Sequence, residues 1–302
     1  MMHIAVGFDT SCYTTSAAAV NRQGEVVAFA RKLLPVEAGQ RGLRQSEAVF
    51  THVRQMPQVM EELQQQLKEL DTQIVAVCAS ARPCDGEDSY MPVFTVGYGH
   101  GKTVSSLLNV PLYETTHQRG HIAAGLIGNP ALQQPHLALH ISGGTTDLLL
   151  CREDAIQTLG SSLDLHAGQL VDRIGVSFGM GFPAGLALEQ LAMSCAEPPQ
   201  ALIPCSLENG DLSCHLSGAE NKVQQLLQKG QLTREQAALE VFDLLSRTIA
   251  RMLIAGSKKT GAKQALVVGG VASSTLLRKL IQQRLAKARS SIQVVFGDPR
   301  YS

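Results

Sequence analysis

The sequence predicts an α/β protein made of two similar halves. An apolar strand, a turn of small polar residues and a second apolar strand occur near the start, in HIAVGFDTSCYTTSAAAVN, and again in mid-chain, in HLALHISGGTTDLLLC. In each half, further strands then alternate with helical patterns, which is typical of α/β domains. The chain has 302 residues, 44% of them hydrophobic, which suffices for two cores. We therefore predict one domain at residues 1–134 and a second at 135–302.

The first half begins as a meander of strands. Strands are predicted at 3–9, 15–20 and 25–33, and a loop rich in Gly and Arg follows around 38–44. Apolar residues at helical spacing then indicate a helix that Ser46 begins, and Pro57 is expected to kink or divide it. The remaining elements are a strand at 74–79, a loop at 81–92, a helix near 101–109, a short strand before Glu114 and a helix from His117 to about Gly125.

The second half repeats the meander and then adds helices. Strands are predicted at 136–142, 146–151 and 155–159, and helices at 164–178 and 184–194. Residues 196–217 carry several Pro, Gly and Ser residues and are predicted to be irregular. A long helix at 234–257 begins with Thr233 and Gln236 as a capping box. A strand at 264–268, a helix at 274–288 and a strand at 292–296 complete the chain.

The composition excludes several classes of protein. Lys plus Arg and Asp plus Glu number 26 each, so the chain has no net charge that would attract nucleic acid. This balance does not exclude a local basic patch. Seven cysteines without a CxxC pair indicate reduced thiols rather than a disulfide framework or a zinc ribbon. The N-terminus shows no signal peptide, and no apolar run approaches the ~18 residues of a membrane helix. We predict a cytoplasmic protein without a membrane contact.

The two hairpin turns are candidate phosphate-binding sites, because such turns expose backbone N–H groups and hydroxyls. In the first turn, Asp9 follows a strand and is suited to hold magnesium through water, with hydroxyls such as that of Ser11 on phosphate. In the second, the adjacent glycines of Ser142-Gly143-Gly144-Thr145 let a phosphate approach the backbone. Both turns also have a structural interpretation, as ordinary hairpins whose polar residues satisfy their own backbone.

Two further motifs carry weaker signals. Gly269 and Gly270 follow an apolar strand and precede a helix with Ser273 or Ser274 near its cap, an arrangement that faces anions in other proteins. His117 and His121 form an HxxxH pair, which on a helix brings both imidazoles to one metal ion. HxxxH alone is more often structural, and no glutamate makes it the zinc-protease motif HExxH. Asp164 is a candidate helix cap and Asp172 a candidate solvated charge, and each is alternatively suited to bind ribose hydroxyls.

In order along the chain, these motifs resemble those of the TsaD/Gcp family, which transfers threonylcarbamoyl to tRNA adenosine. GFDTSCYTTSAAAV is similar to the family's opening segment G-[IF]-E-T-S-C-D-E-T-S, and THQRGHIAA to its H-x-E-G-H metal segment. ISGGTTDLLL is similar to V-S-G-G-H-T-x-L, and the residues from GSSLDLHAGQ to GMGFPAG resemble G-x-T-x-D-D-A-A-G-E-A-F-D-K with its following Y-P-G-G. CHLSGAENK resembles F-S-F-S-G-L-K-T, and VVGGVASSTLLR resembles V-x-G-G-V-A-x-N-x-x-L-R.

The resemblance implies a fold and a set of roles. The fold is that of actin, sugar kinases and heat-shock chaperones, with duplicated RNase H-like lobes that hold an adenine nucleotide between them. His117 and His121 would bind one divalent metal ion, iron or zinc, which acts as a Lewis acid. Asp9 and Ser11 are the predicted catalytic residues. The predicted nucleotide-binding residues are Ser142, Gly143, Gly144 and Thr145 at the phosphate or acyl phosphate, and Asp172, Gly185, Gly269, Gly270 and Ser274 at the sugar and base.

Several positions depart from the family pattern. The opening segment of the family pattern has three acidic residues. Only the first is acidic here, as Asp9, because Tyr13 and Thr14 stand at the positions of the other two. Thr145 replaces a His, Leu165 an Asp, Gln169 a Glu and Ser274 an Asn. The family's third metal ligand, an Asp in a T-D-N-x-A segment, would follow VVFGDPRYS, so we expect either that the second lobe is truncated here or that the protein lacks this ligand. These departures suggest a diverged member.

Three functions agree with this sequence. The first is a threonylcarbamoyl (acyl) transferase that uses threonylcarbamoyl-adenylate, acts on tRNA and has a family partner subunit or forms a homo-oligomer. The second is a diverged paralogue that binds adenine nucleotide and protein partners without this catalysis. The third is another acyl or phosphoryl transferase on the same scaffold. An endopeptidase is disfavoured, because the chain shows neither HExxH nor a convincing Ser-His-Asp set.

Overall fold

The computed structural model describes residues 1–36, 43–86, 88–129, 131–153 and 155–301. These form two compact units, Met1–Gly120 and His121–Ser302. The domain boundary predicted after residue 134 lies further along the chain than this division. Most of the predicted Gly- and Arg-rich loop at 38–44 lies outside the described residues.

The first unit contains one five-stranded sheet and its helices. Its elements are β1 (Met2–Thr10), β2 (Thr14–Asn21), β3 (Val26–Leu33), α1 (Gln45–Leu67), β4 (Thr72–Arg82), α2 (Phe94–Leu108), β5 (Leu112–Thr116) and the start of α3 (His117–Leu126). The strand order is β3-β2-β1-β4-β5. The first three strands are antiparallel, whereas β4 pairs in parallel with β1 and with β5.

The second unit has a second five-stranded sheet and more helices. Its strands are β6 (His136–Ile141), β7 (Thr146–Cys151), β8 (Ile156–Ser161), β9 (Ser206–Glu208), β10 (Ser213–His215), β11 (Gln264–Val268) and β12 (Gln293–Phe296). Its further helices are α4 (Ala167–Ser177), α5 (Gly185–Met193), α6 (Ser217–Gln228), α7 (Arg234–Thr260) and α8 (Thr275–Lys287), with short 3-10 helices at Gly270–Ser273 and Pro299–Tyr301. The sheet order is β12-β11-β6-β7-β8, and β9 and β10 form a separate hairpin.

The two sheets have the same topology, which confirms the predicted duplication. In each, an antiparallel meander supplies three strands, and its first strand pairs in parallel with a strand that comes later in the chain. β1 alternates buried and partly exposed residues, with Ile4, Val6 and Phe8 facing its core. β6 is buried at every position, because α7 covers one face and α3 the other. Strands covered on both faces are uniformly apolar, as the sequence of β6 largely is.

The structure differs from two of the helix predictions in detail. Of the kink or division predicted at Pro57, the division does not occur, because α1 runs without a break through that residue. The apolar face that carries Met56, Val59 and Leu63 is fully buried, and this packing outweighs the one backbone hydrogen bond that the proline removes. α2 begins at Phe94, earlier than the predicted start near 101, and Val93 and Phe94 at its start are buried in a small apolar cluster with Leu34 and Ala48.

The segment predicted to be irregular contains more structure than expected. Residues 206–215 form the hairpin of β9 and β10, and α6 follows in a stretch for which no helix was predicted. Its apolar residues are Ala219, Val223, Leu226 and Leu227, and the polar residues between them hide the helical period. The first three are buried in the core of the second unit, and Leu227 packs against it.

Asp164 caps the start of α6, and not the helix that follows it directly in sequence. Its carboxylate accepts hydrogen bonds from the Ser217 hydroxyl at 2.5 Å, the Leu216 amide at 2.8 Å and the Leu165 amide at 2.5 Å. Burial alone would raise its pKa, but these hydrogen bonds outweigh burial and lower the pKa of Asp164 to about 2. The carboxylate therefore stabilises the fold in its charged form.

Replacing Asp164 by asparagine is expected to lower the free energy of unfolding by about 1 kcal/mol at neutral pH. Because the folded pKa of about 2 lies below the ordinary value of 3.8, the contribution is complete above the ordinary value. It is lost as the pH falls through the folded value. Urea unfolding at pH 7 and at pH 3 measures the effect. Asp211→Asn, at a half-exposed ion pair with Arg251, is the control and should cost less. Equal losses in both variants would contradict the capping role.

None of the helices that the structure describes is both long enough and apolar enough to cross a membrane.

Candidate functional site

The first turn places Asp9 beside the first histidine of the HxxxH pair. Nδ1 of His117 donates a hydrogen bond to Oδ2 of Asp9 at 2.8 Å, and the Ser80 hydroxyl donates to the same oxygen at 2.7 Å. The three residues come from the ends of the parallel strands β1 and β4 and the start of α3, which meet at one edge of the sheet. Burial alone would lower the pKa of His117, but the charge and hydrogen bond of Asp9 outweigh it and raise that pKa.

Ser11 lies in the same turn, but its backbone makes the recorded contacts. Its amide donates to the carbonyl of Thr14, and its carbonyl accepts from Nε2 of His52 at 2.7 Å. His52 lies on the buried face of α1 and is fully buried. Burial lowers the pKa of His52, so the neutral ring fixes the turn to the helix. The structure therefore shows how the turn is held, and a catalytic role for Ser11 remains a prediction.

The second histidine of the pair contacts another histidine. The rings of His121, on α3, and His140, at the end of β6, have centroids 4.6 Å apart and are tilted by 43°. His117 and His121 lie one turn apart at the start of the same helix, as predicted. Across residues 1–36, 43–86, 88–129, 131–153 and 155–301, no group of three or more His, Cys, Asp or Glu side chains is arranged to hold a metal ion.

The hydrogen bonding of His117 nevertheless fits a metal-binding imidazole. Metal-binding histidines generally donate their second N–H to a carboxylate, which fixes the ring and its tautomer. His117 has this arrangement, because its Nδ1 is used in the hydrogen bond to Asp9 and Nε2 is the nitrogen that would bind the metal. Imidazole ligands suit zinc and iron.

The second turn is built against the start of α4. Ser142 and Thr145 close the hairpin through a backbone hydrogen bond of 2.8 Å, and the Gly168 amide donates to the Ser142 carbonyl at 3.1 Å. A Cβ on Gly168 would lie 2.6 Å from that carbonyl oxygen and 2.7 Å from the backbone of Gly143. Gly144, by contrast, is exposed and has no atom within 4 Å of an added Cβ. The turn thus presents open backbone on one side, which is what phosphate binding needs.

The glycine pair after β11 adjoins the same strand end. Gly269 has φ +99°, and a Cβ there would lie 2.4 Å from the carbonyl oxygen of Ile141, the residue before the turn. Gly270 is exposed and open. Ser274 caps α8, because its hydroxyl accepts from the Leu277 amide at 3.1 Å. The structure therefore brings Gly269 and Gly270 to the edge of the sheet where the Ser142–Thr145 turn lies.

Asp172 is hydrogen-bonded to the residue that precedes Gly185. The carboxylate of Asp172, on α4, accepts from the amide of Ala184, the residue before Gly185 and the start of α5, at 2.8 Å. Burial raises the pKa of Asp172, and that hydrogen bond only partly offsets the effect. Asp172 therefore positions the start of α5, and its contact with a nucleotide remains a prediction.

Two departures from the family pattern have structural roles. Leu165 is buried in the core of the second unit. Gln169, on the first turn of α4, accepts a hydrogen bond from the His166 amide at 3.1 Å, as a glutamate in a capping box would.

Sequence reasoning missed Ser80, His52 and His140. Ser80 lies near the end of β4, which pairs in parallel with β1, so its proximity to Asp9 follows once that pairing is known. His140 follows three apolar residues in β6 and gives no motif of its own.

Solved structures of other proteins share this fold. The T. kodakarensis HypF structure has a TM-score of 0.61 at 13% identity over 98% of this chain and 44% of that one. The activator of 2-hydroxyisocaproyl-CoA dehydratase from Clostridium difficile, with bound ADPNP, has a TM-score of 0.52 at 12% identity over 98% and 88%. At these identities the likeness shows the fold alone, and that fold is the duplicated one of actin, sugar kinases and heat-shock chaperones.

Curated relatives extend over nearly the whole chain. The tRNA N6-adenosine threonylcarbamoyltransferase of Bordetella petrii is 30% identical over 298 residues, which cover 93% of this chain and 82% of the relative. That of Synechococcus sp. (strain JA-3-3Ab) is 28% identical over 310 residues, covering 97% and 82%. The sequence profile of the family, TsaD: tRNA N6-adenosine threonylcarbamoyltransferase, matches residues 36–302. The chain therefore belongs to the tRNA N6-adenosine threonylcarbamoyltransferase family.

Proposed function

We propose that this chain transfers a threonylcarbamoyl group from threonylcarbamoyl-adenylate to the amino group of a tRNA adenosine. The observation that carries the proposal is the family match over residues 36–302, within which the HxxxH pair lies. The hydrogen bond between Asp9 and His117 supports it, because it orients a metal-binding imidazole. Iron or zinc is the metal that this donor set would take. The protein would act in the cytoplasm.

His117 and His121 would hold the metal, which when bound supplies a Lewis acid for the acyl group. Asp9 fixes the ring of His117 and gives the site a negative charge that favours a cation. Ser80 holds the same carboxylate oxygen and limits its rotation. Asp9 is thus a positioning residue in this proposal.

The second unit would bind the adenylate. The backbone of Gly143, Gly144 and Thr145, which is open at Gly144, would face the phosphate together with the hydroxyl of Ser142. Asp172 and Gly185, together with Gly269, Gly270 and Ser274, would face the sugar and base. Bound substrate would be held by backbone groups that are already ordered, which reduces the entropic cost of binding. The proposal is compatible with a magnesium ion bound beside the nucleotide. It is also compatible with a family partner subunit and with a homo-oligomer.

Replacing both His117 and His121 by alanine is expected to abolish tRNA modification and leave the nucleotide site intact. The readouts are threonylcarbamoyladenosine in tRNA after incubation with the adenylate, and the metal content of the purified protein. Adenine nucleotide should still stabilise the variant, by about 2.7 kcal/mol at a hundredfold excess over Kd.

The control is the double variant His3→Ala and His100→Ala, which removes two histidines that our proposal gives no role. It should retain both metal and modification. If the His117 and His121 variant modifies tRNA as well as the wild type, the proposed metal role is wrong. If the wild type binds nucleotide and metal but modifies no tRNA, the proposed reaction is wrong.

A further inference from the structure

The first hairpin turn is anchored to the rest of the first unit residue by residue. Asp9 is hydrogen-bonded from β4 and from α3. Thr10 is tied to the start of α2, because its hydroxyl donates to the Val93 carbonyl at 2.7 Å and accepts from the Gly97 amide at 3.0 Å. The backbone of Ser11 is held from α1. A turn that three helices and a strand support in this way is preorganised.

His52 provides the anchor on α1. Its Nε2 donates a hydrogen bond to the Ser11 carbonyl at 2.7 Å, and its Nδ1 lies 2.7 Å from Oγ1 of Thr15, on β2. His52 and Thr15 are both 0% exposed, so neither side chain is open to solvent. A buried ring that is held at both nitrogens has one orientation, because rotating it would leave polar groups unpaired.

The partner at Nε2 determines what residue 52 must supply. A carbonyl oxygen can only accept, so Nε2 carries the hydrogen. Burial lowers the pKa of His52 more than the Ser11 carbonyl and the charge of Asp9 raise it, so the ring is neutral and has this one N–H. The position of Ser11 therefore depends on a single N–H group at a defined place.

The contact with His52 also sets the direction of the Ser11 side chain. The Ser11 amide donates to the Thr14 carbonyl at 3.0 Å, so both backbone groups of Ser11 are fixed. Its hydroxyl, by contrast, has no hydrogen-bond partner in the part of the chain that the structure describes. A fixed backbone with an unused hydroxyl suits contact with a substrate. Misplacing such a group by about 1 Å can slow a reaction about a hundredfold.

We propose that His52 is a positioning residue for the transfer reaction. Through the Ser11 carbonyl, it fixes the turn that carries the Ser11 hydroxyl and Asp9. His52 itself is fully buried and acts only through this turn. The inference rests on the proposed function and adds to it a residue that lies outside the metal and nucleotide sites.

The test compares His52→Asn with His52→Gln. The amide nitrogen of glutamine reaches as far from the backbone as Nε2 of histidine and can donate to Ser11, whereas that of asparagine reaches only as far as Nδ1. His52→Asn should lower kcat for tRNA modification about tenfold or more, with an unchanged KM for the adenylate, whose proposed binding residues lie in the second unit. His52→Gln should retain kcat to within about threefold of the wild type.

Hydrogen exchange of the Ser11 amide is measured on the same variants and does not depend on activity. It should be about tenfold faster in His52→Asn and close to the wild-type rate in His52→Gln. Met56→Ala is the control for stability, because Met56 is fully buried on the same face of α1, one turn later. It should unfold at a lower temperature, yet keep wild-type kcat and Ser11 exchange when measured below that temperature.

The outcomes separate this inference from the proposed function. Wild-type kcat and exchange in His52→Asn, or equal losses in His52→Asn and His52→Gln, would show that the N–H to Ser11 positions nothing. If the wild type modifies no tRNA, the proposed reaction is wrong, and exchange still decides whether His52 positions the turn.

Should His52→Asn fail to fold, Thr15→Val replaces it. This variant removes the hydroxyl beside Nδ1 and lets the ring rotate away from Ser11, so kcat should fall and Ser11 exchange should be faster. Wild-type values of both would overturn the inference.

Discussion

Replacing Gly269 by alanine is expected to lower the free energy of unfolding by about 3 kcal/mol or more. The backbone there has φ +99° and ψ 166°, a conformation that is essentially restricted to glycine. An added Cβ would also lie 2.4 Å from the Ile141 carbonyl oxygen and 2.9 Å from the His140 ring. Relief would require β11 to move away from the end of β6, and these are neighbouring central strands of the sheet.

Gly270→Ala is the matched control, one residue later. It has no positive φ, and an added Cβ finds no atom within 4 Å. Its exposed methyl group should leave stability within about 0.5 kcal/mol of the wild type. Denaturant unfolding of both variants, followed by circular dichroism, measures the difference. Similar stability of the two variants would show that the turn adapts to a side chain at Gly269.

Much of this architecture follows from local sequence patterns. The two hairpins, the buried strand β11 and the long helix α7 were predicted close to their observed bounds, because strong apolar runs and a capping box mark them. The juxtaposition of Asp9 with His117 was not predicted from the residues. It depends on the parallel pairing of β1 with β4 and on the entry of α3 at that edge, both of which join distant parts of the chain.

The remaining features depend on packing that no local pattern reports. α6 escaped prediction because polar residues occupy most of its positions, and Asp164, more than fifty residues earlier, supplies its cap. No local pattern distinguishes Gly168 from the other residues of its helical segment. In the structure, α4 contacts the Ser142–Thr145 turn at this residue. Contacts of this kind become visible only when the tertiary structure is known.

Gly168→Ala should destabilise the protein and weaken nucleotide binding together. Alanine is the better helix former by about 1 kcal/mol, so an unobstructed site would be stabilised by the change. Here the Cβ would lie 2.6 Å from the Ser142 carbonyl oxygen and 2.7 Å from the Gly143 backbone. The start of α4 and the turn must therefore separate, at an expected cost of about 1–3 kcal/mol. Because these backbone groups form the proposed phosphate site, we expect affinity for adenine nucleotide to fall at least tenfold.

Gly144→Ala, in the same turn, separates the two effects. Nothing lies within 4 Å of its added Cβ, so the folded state should retain wild-type stability. Its methyl group would instead occupy the open side of the turn, where the phosphate is expected. Thermal unfolding without ligand and calorimetric titration with an adenine nucleotide distinguish the variants: Gly168→Ala should lose both stability and affinity, Gly144→Ala affinity alone. Wild-type affinity in both variants would place the phosphate elsewhere, while lost stability in Gly168→Ala alone would leave this turn with a structural role only.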